Sequence, residues 1–567
     1  MSNKRDALMQ VIGKVGKILP LLASDKVGEV ANAAGQLTKV LASVQLDLHD
    51  VVALLNEEPV PKPTNGLFET DPEALLRIAS DGASFFLNLD HVAYADIDID
   101  GHRETWALTS TEFSHWLMER FYTLKGRIPT AIHMKSAIRS IGAKAAFSSK
   151  ERHNVHTRLA EFGGKIYLDL ADDAWRVIEV DSEGWRVVAA PPVRFRRTLG
   201  MRAITVPQRG GSIDDLRAFV NLSDEAFTLM VSFILDIFRS DRPHPVLYLG
   251  GDEGTAKSTL TKIVGNLLDP NSTKLRNLPA VHDLFVSAHN QHVLCFDNIS
   301  VIPAPVSDAL CQLASGAGFG IRKKYTDSDE FSVAGSHPIV LNGIGNCIER
   351  PDLADRAIVL DLPRIQMDQR RPEAEFWAAF DVARPKLIGA LLDAVVYGLA
   401  HVPTVQLPHV SRLVDYERWA TACEPAFAEP GSFQRAFHSN RTDTVEGLVD
   451  NDPVAKAIGS MMLARDSWDG TAAELLVELT NHDRTEARVT RHSNWPKDPA
   501  RLSKSLRSMA ATLAKAGIDV SFEKAADRRK TRTVHLRNRA PEDNSDAPNR
   551  PHDSGLVGPF TRLDAKH

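Results

Sequence analysis

The chain has 567 residues and a formal net charge of -6, which is more than one hydrophobic core supports and predicts two to four domains. A composition of 43% hydrophobic and 25% charged residues, with 34 Gly and 31 Pro, excludes a fibrous or largely disordered chain. The mild acidity excludes a uniformly basic nucleic-acid coat protein but leaves room for local basic surfaces. Cys295, Cys311, Cys347 and Cys423 show neither zinc spacing nor a disulfide framework, so buried free thiols and a reducing compartment are expected. Lys14, Lys17 and Asp25 interrupt the N-terminal apolar residues, and no uninterrupted apolar run of about 18 residues occurs. A cytoplasmic protein without a membrane span is the expectation.

Residues 1–58 carry apolar side chains at helical spacing (Leu8, Val11, Ile12, Val15, Ile18, Leu19, Leu22), which predicts a helical region facing either a partner or its own chain. Pro59, Pro61, Pro63 and Asn65-Gly66 read as a linker. Residues 67–205 are mixed α/β, with strand-like runs YADIDI, GGKIYLDLA, WRVIEV and GWRVVAA between turn residues, and predict an accessory domain. Asp96, Asp98 and Asp100 alternate, as in the two-metal site of archaeo-eukaryotic primases. However, Asp100-Gly101 signals a hairpin turn, so 94–99 and 103–108 are expected to pair and to carry a solvated acidic face. No downstream histidine and third acid complete a metal site, and the hairpin is preferred. His153 and His156 also lack a third ligand and read as surface residues.

Val246-Leu247-Tyr248-Leu249 is an apolar run followed by Gly251-Asp252-Glu253-Gly254-Thr255-Ala256-Lys257-Ser258-Thr259 and then the helix-like LTKIVGNLL. Strand, small-residue loop and helix in this order form the Walker A pattern, with ATP and Mg2+ as the implied cofactors. Backbone amides approach phosphate, Lys257 reaches the β and γ oxygens, and Ser258 offers a hydroxyl to magnesium. Ala256 stands where glycine is usual; because the position enters the helix, it is not expected to need positive φ. Forty positions beyond Lys257, 292–298 reads as an apolar strand ending in Asp297, a Walker B acid for magnesium. Residues 338–343 form a third strand whose Asn342 suits positioning of the attacking water. Arg350 to Arg356 then lead into a fourth strand, 357–362. Arg356, with Arg350 as the alternative, suits charge stabilisation at a neighbouring subunit's γ-phosphate, and either also reads as a structural ion-pair partner.

The order and compactness of these elements over residues 210–365 resemble superfamily 3 helicases and the ATPase halves of phage and plasmid primase-helicases, a branch of the AAA+ ATPases. The resemblance implies an α/β multidomain chain with a P-loop AAA+ core of mainly parallel sheet at 206–365, a helical lid or collar at 366–460, and a homo-oligomeric ring, a hexamer. In that family a hairpin between Walker B and the water-positioning strand carries basic residues into the pore. Here Ile321-Arg322-Lys323-Lys324-Tyr325 and a returning strand occupy that place. Lys323 and Lys324 are thus candidates for gripping single-stranded DNA, with ordinary solvated lysines as the alternative. Asn298 departs from the pattern, since many relatives carry a second acid there. An amide cannot take a proton, so fast hydrolysis and slow, switch-like holding of ATP both stay open.

Beyond residue 460, a helix near 471–479, a helix over 500–516 and two strand-like runs predict a winged helix-turn-helix at 461–540 that takes duplex DNA. Asp498 suits the N-cap and Pro499 the first turn of the second helix, and Gly517 its end. Arg501, Lys504 and Arg507 share helical spacing, and Arg528, Arg529 and Lys530 make a basic wing. Between 521 and 540 seven Lys or Arg stand against two Asp or Glu. Residues 541–567 are polar and proline-rich and read as a disordered tail. The favoured function is an ATP-dependent DNA helicase or translocase acting in replication of a phage, plasmid or integrated element. The alternatives are an ATP-gated DNA-binding or loader protein with slow hydrolysis and, ranked low, a metal-dependent primase using Asp96 and Asp98.

Overall fold

The computed structural model describes residues 2–18, 21–22, 27–51, 69–148, 152–240, 242–273, 275–316, 319–322, 330–333, 335–408, 411–485, 495–524 and 532–539. The linker at 59–66 and the tail at 541–567 lie outside them. The chain divides into two compact units, Met1–Ala74 and Leu75–His567.

In the first unit, helices Ser2–Ile18 and Val27–Ala42 pack on each other. Val11, Val15 and Ile18 share a small core with Ala33, Leu37 and Leu41. The i, i+4 spacing on each helix therefore meets its counterpart within the chain, and the apolar face is used intramolecularly.

In the second unit the helix Asp71–Gly82 leads into an antiparallel sheet of Ala83–Leu87, Ala93–Ile99 and His102–Ala107. The expected hairpin is present, with Asp100 and Gly101 at φ 51 and 83 as a tight turn requires. Its acidic face is not uniformly solvated, which corrects the sequence expectation. Asp96 is buried and accepts from Thr105 Oγ1 at 2.6 Å and from Arg194 Nε at 2.7 Å, whereas Asp98 is exposed. A salt-bridged acid avoids the desolvation cost that strand alternation alone assigns to the solvent face.

Strands Leu159–Phe162, Lys165–Asp169, Val177–Val180 and Trp185–Val188 form a second antiparallel sheet in sequential order. Arg158, directly before it, is fully buried. Its Nε donates to Asp269 Oδ1 at 2.9 Å, and its Nη groups donate to the Asp169 and Arg202 carbonyls at 2.9 and 2.8 Å. This guanidinium ties the sheet to the segment following the helix Lys257–Leu268.

That helix flanks a parallel sheet in the order Leu294–Ile299, Ile339–Gly343, Val246–Gly250, Ala357–Asp361. The two central strands are buried throughout, so they read as continuous apolar runs and not as alternating ones. Successive side chains still point to opposite faces. Leu247 and Leu249 join the cluster with Ile263, Val264 and Leu267, while Val246 and Tyr248 join Phe285, Leu310 and Leu313. Helices thus cover both faces, the doubly wound arrangement that puts binding loops at the carboxyl edge of the strands.

The helix Glu373–His401 follows, and over 373–404 it is long and apolar enough to cross a membrane by length and composition. Its Leu387, Ile388, Leu391, Leu392 and Val395 are buried in the main core, as in a core helix. Downstream, helices Pro453–Met462, Ala472–Thr485 and Pro499–Lys515 surround a separate core with a three-stranded antiparallel sheet ordered Ser467–Thr471, Arg532–Asn538, Ile518–Lys524. The Asp498 carboxylate accepts the Arg501 N–H at 2.9 Å, with Pro499 in the first turn as expected. The strand Ser467–Thr471 is not anticipated by the sequence, because Asp469 and Gly470 read as turn residues.

Candidate active site

The loop leaves Val246–Gly250 at the carboxyl edge of the parallel sheet and enters the helix at Lys257. Gly251 has φ 132, and a Cβ there would stand 2.8 Å from the Leu362 carbonyl oxygen; Gly254 has φ 79. Both positions therefore need glycine. Ala256 has φ 66 and ψ 27, which corrects the expectation that it lies in ordinary helical space. As N-cap it is the residue at which the loop reverses into the helix, and the reversal uses the left-handed region despite the Cβ. Thr255 is buried with Oγ1 on the Asp252 carbonyl at 3.0 Å, whereas Asp252 and Glu253 are exposed. Among the described residues no protein acceptor meets the N–H groups of Gly254, Thr255 and Ala256.

Lys257 Nζ donates to the Gly251 and Asp252 carbonyls at 2.8 and 2.6 Å, which holds the ammonium over the loop. Ser258 Oγ donates to Asp297 Oδ1 at 2.8 Å. The Walker A hydroxyl and the Walker B carboxylate thus meet, a pair of hard oxygen donors suited to magnesium. Thr259 is half-buried beside them on the same helix turn.

The Walker B strand does not end at its acid. It runs to Ile299 with a register shift after Phe296, and Asn298 sits in it at φ 56 with an exposed side chain. The Asn298 N–H donates to Asn342 Oδ1 at 3.2 Å, and Asn342 Nδ2 donates to Thr261 Oγ1 at 2.7 Å. Asn342 is 1% exposed, so its amide is locked between the loop helix and the Walker B strand. Thr261, one helical turn after Lys257, escaped the sequence reading; its only signal is the i+4 spacing. Burial pushes the Cys295 thiol of this strand up to about 12 and the Cys311 thiol elsewhere in the core up to about 11, and raises Cys423 well above the usual range. All four thiols are free, with Cys311, Cys347 and Cys423 buried as expected and Cys295 only partly buried.

A cavity of about 550 Å³ opens beside Gly254, Thr255 and Ala256, walled by Phe219, Phe376 and Trp377. Phe219 and Phe376 meet edge-to-face at 5.7 Å, and Phe376 and Trp377 at 5.3 Å. The Arg370 guanidinium overlies Gly254, with Nη2 2.9 Å from where a Cβ would be. None of these residues follows from the motif, because they come from segments distant in sequence.

Arg356 lies at the other edge of the sheet, where its carbonyl accepts the Val246 N–H at 2.8 Å. Five strand residues, about 16 Å, separate it from its own phosphate loop. Its guanidinium donates to Ser315 Oγ at 3.0 Å and to the Asp352 carbonyl at 2.7 Å. Arg350 pairs with Asp308 and Asp352 at 2.7 and 3.0 Å, and the Asp352 hydrogen bond raises its affinity for its proton.

Strands Phe319–Arg322 and Glu330–Val333 pair antiparallel between the Walker B strand and Ile339–Gly343, so the expected hairpin exists. Lys323 and Lys324 lie outside the described residues, as do Arg528, Arg529 and Lys530. Arg501, Lys504 and Arg507 are exposed along one side of Pro499–Lys515, opposite buried Leu502, Leu506 and Met509. Arg507 stands over the Phe522 ring at 5.1 Å.

Residues 213–429 match the family model described as actinomycete integrative conjugative element replication protein, and residues 454–549 match that of the AICE RepA C-terminal domain. The first match supports a role in DNA replication. Among solved structures the chain is similar to the apo C-terminal region of NrS-1, at 10% identity and TM-score 0.37, covering 83% of this chain and 100% of that one. It is also similar to SCCmec type IV Cch, described as an active helicase, at 12% identity and TM-score 0.43, covering 81% and 94%. No curated protein matches.

Proposed function

We propose that this chain is an ATP-dependent DNA motor of the superfamily 3 type, acting in replication of an integrated conjugative element. The observation that carries the reading is the meeting of Ser258 and Asp297 at 2.8 Å beside Lys257, at the carboxyl edge of a parallel sheet. On ATP binding, Lys257 exchanges its loop carbonyls for phosphate oxygens, and the unpartnered amides of Gly254 to Ala256 add to the cradle. Ser258 and Asp297 would hold Mg2+, which neutralises charge on the phosphate oxygens. Asn342, held by Thr261, keeps its carbonyl oxygen toward the Asn298 backbone and so fixes the segment that faces the attacking water. The aromatic wall of Phe219, Phe376 and Trp377 receives the base, and Arg370 supplies a second cation to the phosphates.

Arg356 cannot serve its own loop from the far edge of the sheet. In a homo-oligomeric ring, a hexamer, it completes the neighbour's site. Lys323 and Lys324 then grip single-stranded DNA in the pore, and the three-helix C-terminal region, read as a winged helix, meets duplex DNA through Arg501, Lys504 and Arg507 with Arg528, Arg529 and Lys530 on its wing. Asn298 favours a second reading, in which ATP mainly orders an assembly on DNA and turnover is slow. The primase reading is disfavoured because Asp96 is committed to Arg194 and Thr105.

Unwinding of a tailed duplex by wild type and Lys257→Ala separates these readings. Strand separation that needs ATP and is lost in Lys257→Ala supports the motor. Nucleotide-dependent DNA binding without separation selects the loader.

A further inference from the structure

A second cavity, of about 760 Å³, lies where the N-terminal antiparallel sheet and the segment 194–199 face residues 288–292 and 335–337 of the parallel-sheet core. Tyr94, Trp106, Trp175, Arg196, Arg197 and Ser336 are on its wall. The two arginines differ in how their charge is compensated. Arg197 is neutralised by Asp169, with contacts of 2.8 and 3.1 Å, and stacks on Trp175 at 3.9 Å. Arg196 donates to the His289 backbone carbonyl and has no carboxylate partner among the described residues.

Three acids also line the cavity, Asp90, Glu104 and Glu112, and Glu112 is exposed. Asp90 accepts from Asn88 Nδ2 at 3.1 Å, and Glu104 faces His102 at 3.1 Å. Burial holds His289 at about 3 and His337 at about 4 and also lowers His292, so these three imidazoles add no charge. Ser336 Oγ and Ser240 Oγ, both on the wall, are buried without a hydrogen-bond partner, and Ser336 is 7% exposed. A half-buried cation without a counter-ion beside unsatisfied hydroxyls is costly to leave empty-handed. A phosphate oxyanion supplies both the charge and the acceptors. Trp106, half-buried on the wall, gives a flat face on which a base stacks. Ser336 follows the returning strand Glu330–Val333 closely, so this wall is also the root of the basic hairpin.

We propose that this cavity binds the phosphodiester backbone of a single DNA strand, with a phosphate on Arg196 and Ser336, and guides the strand toward the hairpin root. The inference rests on the DNA-motor reading for its ligand but uses residues outside the ATP site. The test is fluorescence anisotropy of labelled oligo(dT) on the full chain across a salt series, with wild type, Arg196→Gln, Arg196→Lys and Ser336→Ala. Arg196→Gln should weaken binding about tenfold and reduce the slope of log affinity on log salt by about one, and Arg196→Lys should recover most of that slope. Thermal melting and ATP turnover of Arg196→Gln without DNA should match wild type.

Wild-type affinity and slope in a folded Arg196→Gln would overturn the cavity as a strand site while leaving the motor intact. A wild-type chain that binds no oligo(dT) overturns the motor reading and this inference together. A parallel titration with inorganic phosphate and dATP follows the Trp106 and Trp175 fluorescence. A response there, with no dependence of oligo(dT) binding on Arg196, assigns the cavity to a free phosphate or nucleotide and rejects the strand.

Discussion

Ala256 and Asn298 both sit in the left-handed region, at φ 66 and φ 56, on either side of the candidate ATP site. Asparagine tolerates that region through its short polar side chain, whereas alanine pays about 1 kcal/mol for its Cβ. Ala256→Gly relieves this strain but adds unfolded-chain entropy of similar size, so its melting temperature should stay near wild type. Ala256→Val, with a branched Cβ at positive φ, should lose about 1–3 kcal/mol by denaturant titration. Asn298→Asp keeps the backbone conformation and puts a carboxylate where the proposed function has the attacking water. It should raise ATP turnover without changing stability, and an unchanged rate would mean the side chain is not near the reacting water. The meeting of Ser258 with Asp297 was legible because one opens a helix after an apolar strand and the other stands near the end of a second such strand, whereas the engagement of both ends of the Asn342 amide was not. Asp96 was misread because its partner Arg194 lies 98 positions away, and no local pattern announces that pairing.

At the scale of elements, Asn342 joins three pieces: its own strand, the loop helix through Thr261 and the Walker B strand through Asn298. Asn342→Leu removes the donor to Thr261 Oγ1, which keeps its bond to the Lys257 carbonyl at 3.0 Å, so about 0.5–1.5 kcal/mol should be lost in denaturant titration, together with most of the ATP turnover. The helix Val414–Cys423 carries Glu417 fully buried with neither carboxylate oxygen bonded, and burial raises its pKa to about 7, partly opposed by Arg441. Because the folded pKa exceeds the unfolded one, the stability this group supports is complete below its unfolded pKa near 4.5 and declines as pH rises through about 7. Glu417→Gln should flatten that decline and gain on the order of 2 kcal/mol at pH 8. A wild-type stability curve that rises between pH 5 and pH 7 alongside an identical curve for Glu417→Gln would refute this. The parallel strands were legible as short apolar runs because both their faces are buried. The continuation of the Walker B strand past Asp297 was not, since Asp and Asn are poor strand residues and only pairing with Ile339–Gly343 holds them there.

In the molecule as a whole, the buried Arg158 links the second antiparallel sheet to the parallel-sheet core through Asp269. Arg158→Met leaves Asp269 buried without its cation, and about 3–5 kcal/mol should be lost, with earlier proteolytic cleavage between the two regions. Such long-range anchoring was invisible in the sequence, where Arg158 is one arginine among many, whereas the succession of helical, mixed and parallel-sheet regions followed from changes in apolar period. Arg356 defines the assembly question. Its position at the edge away from its own loop predicts that Arg356→Ala lowers turnover at high protein concentration, and that mixing it with Lys257→Ala restores part of that activity, because each supplies what the other lacks. The most direct test of the account is steady-state phosphate release by the full chain, with and without single-stranded DNA. The account predicts ATP hydrolysis that DNA accelerates and that Lys257→Ala abolishes. Hydrolysis indifferent to DNA, or equal in Lys257→Ala, would contradict it.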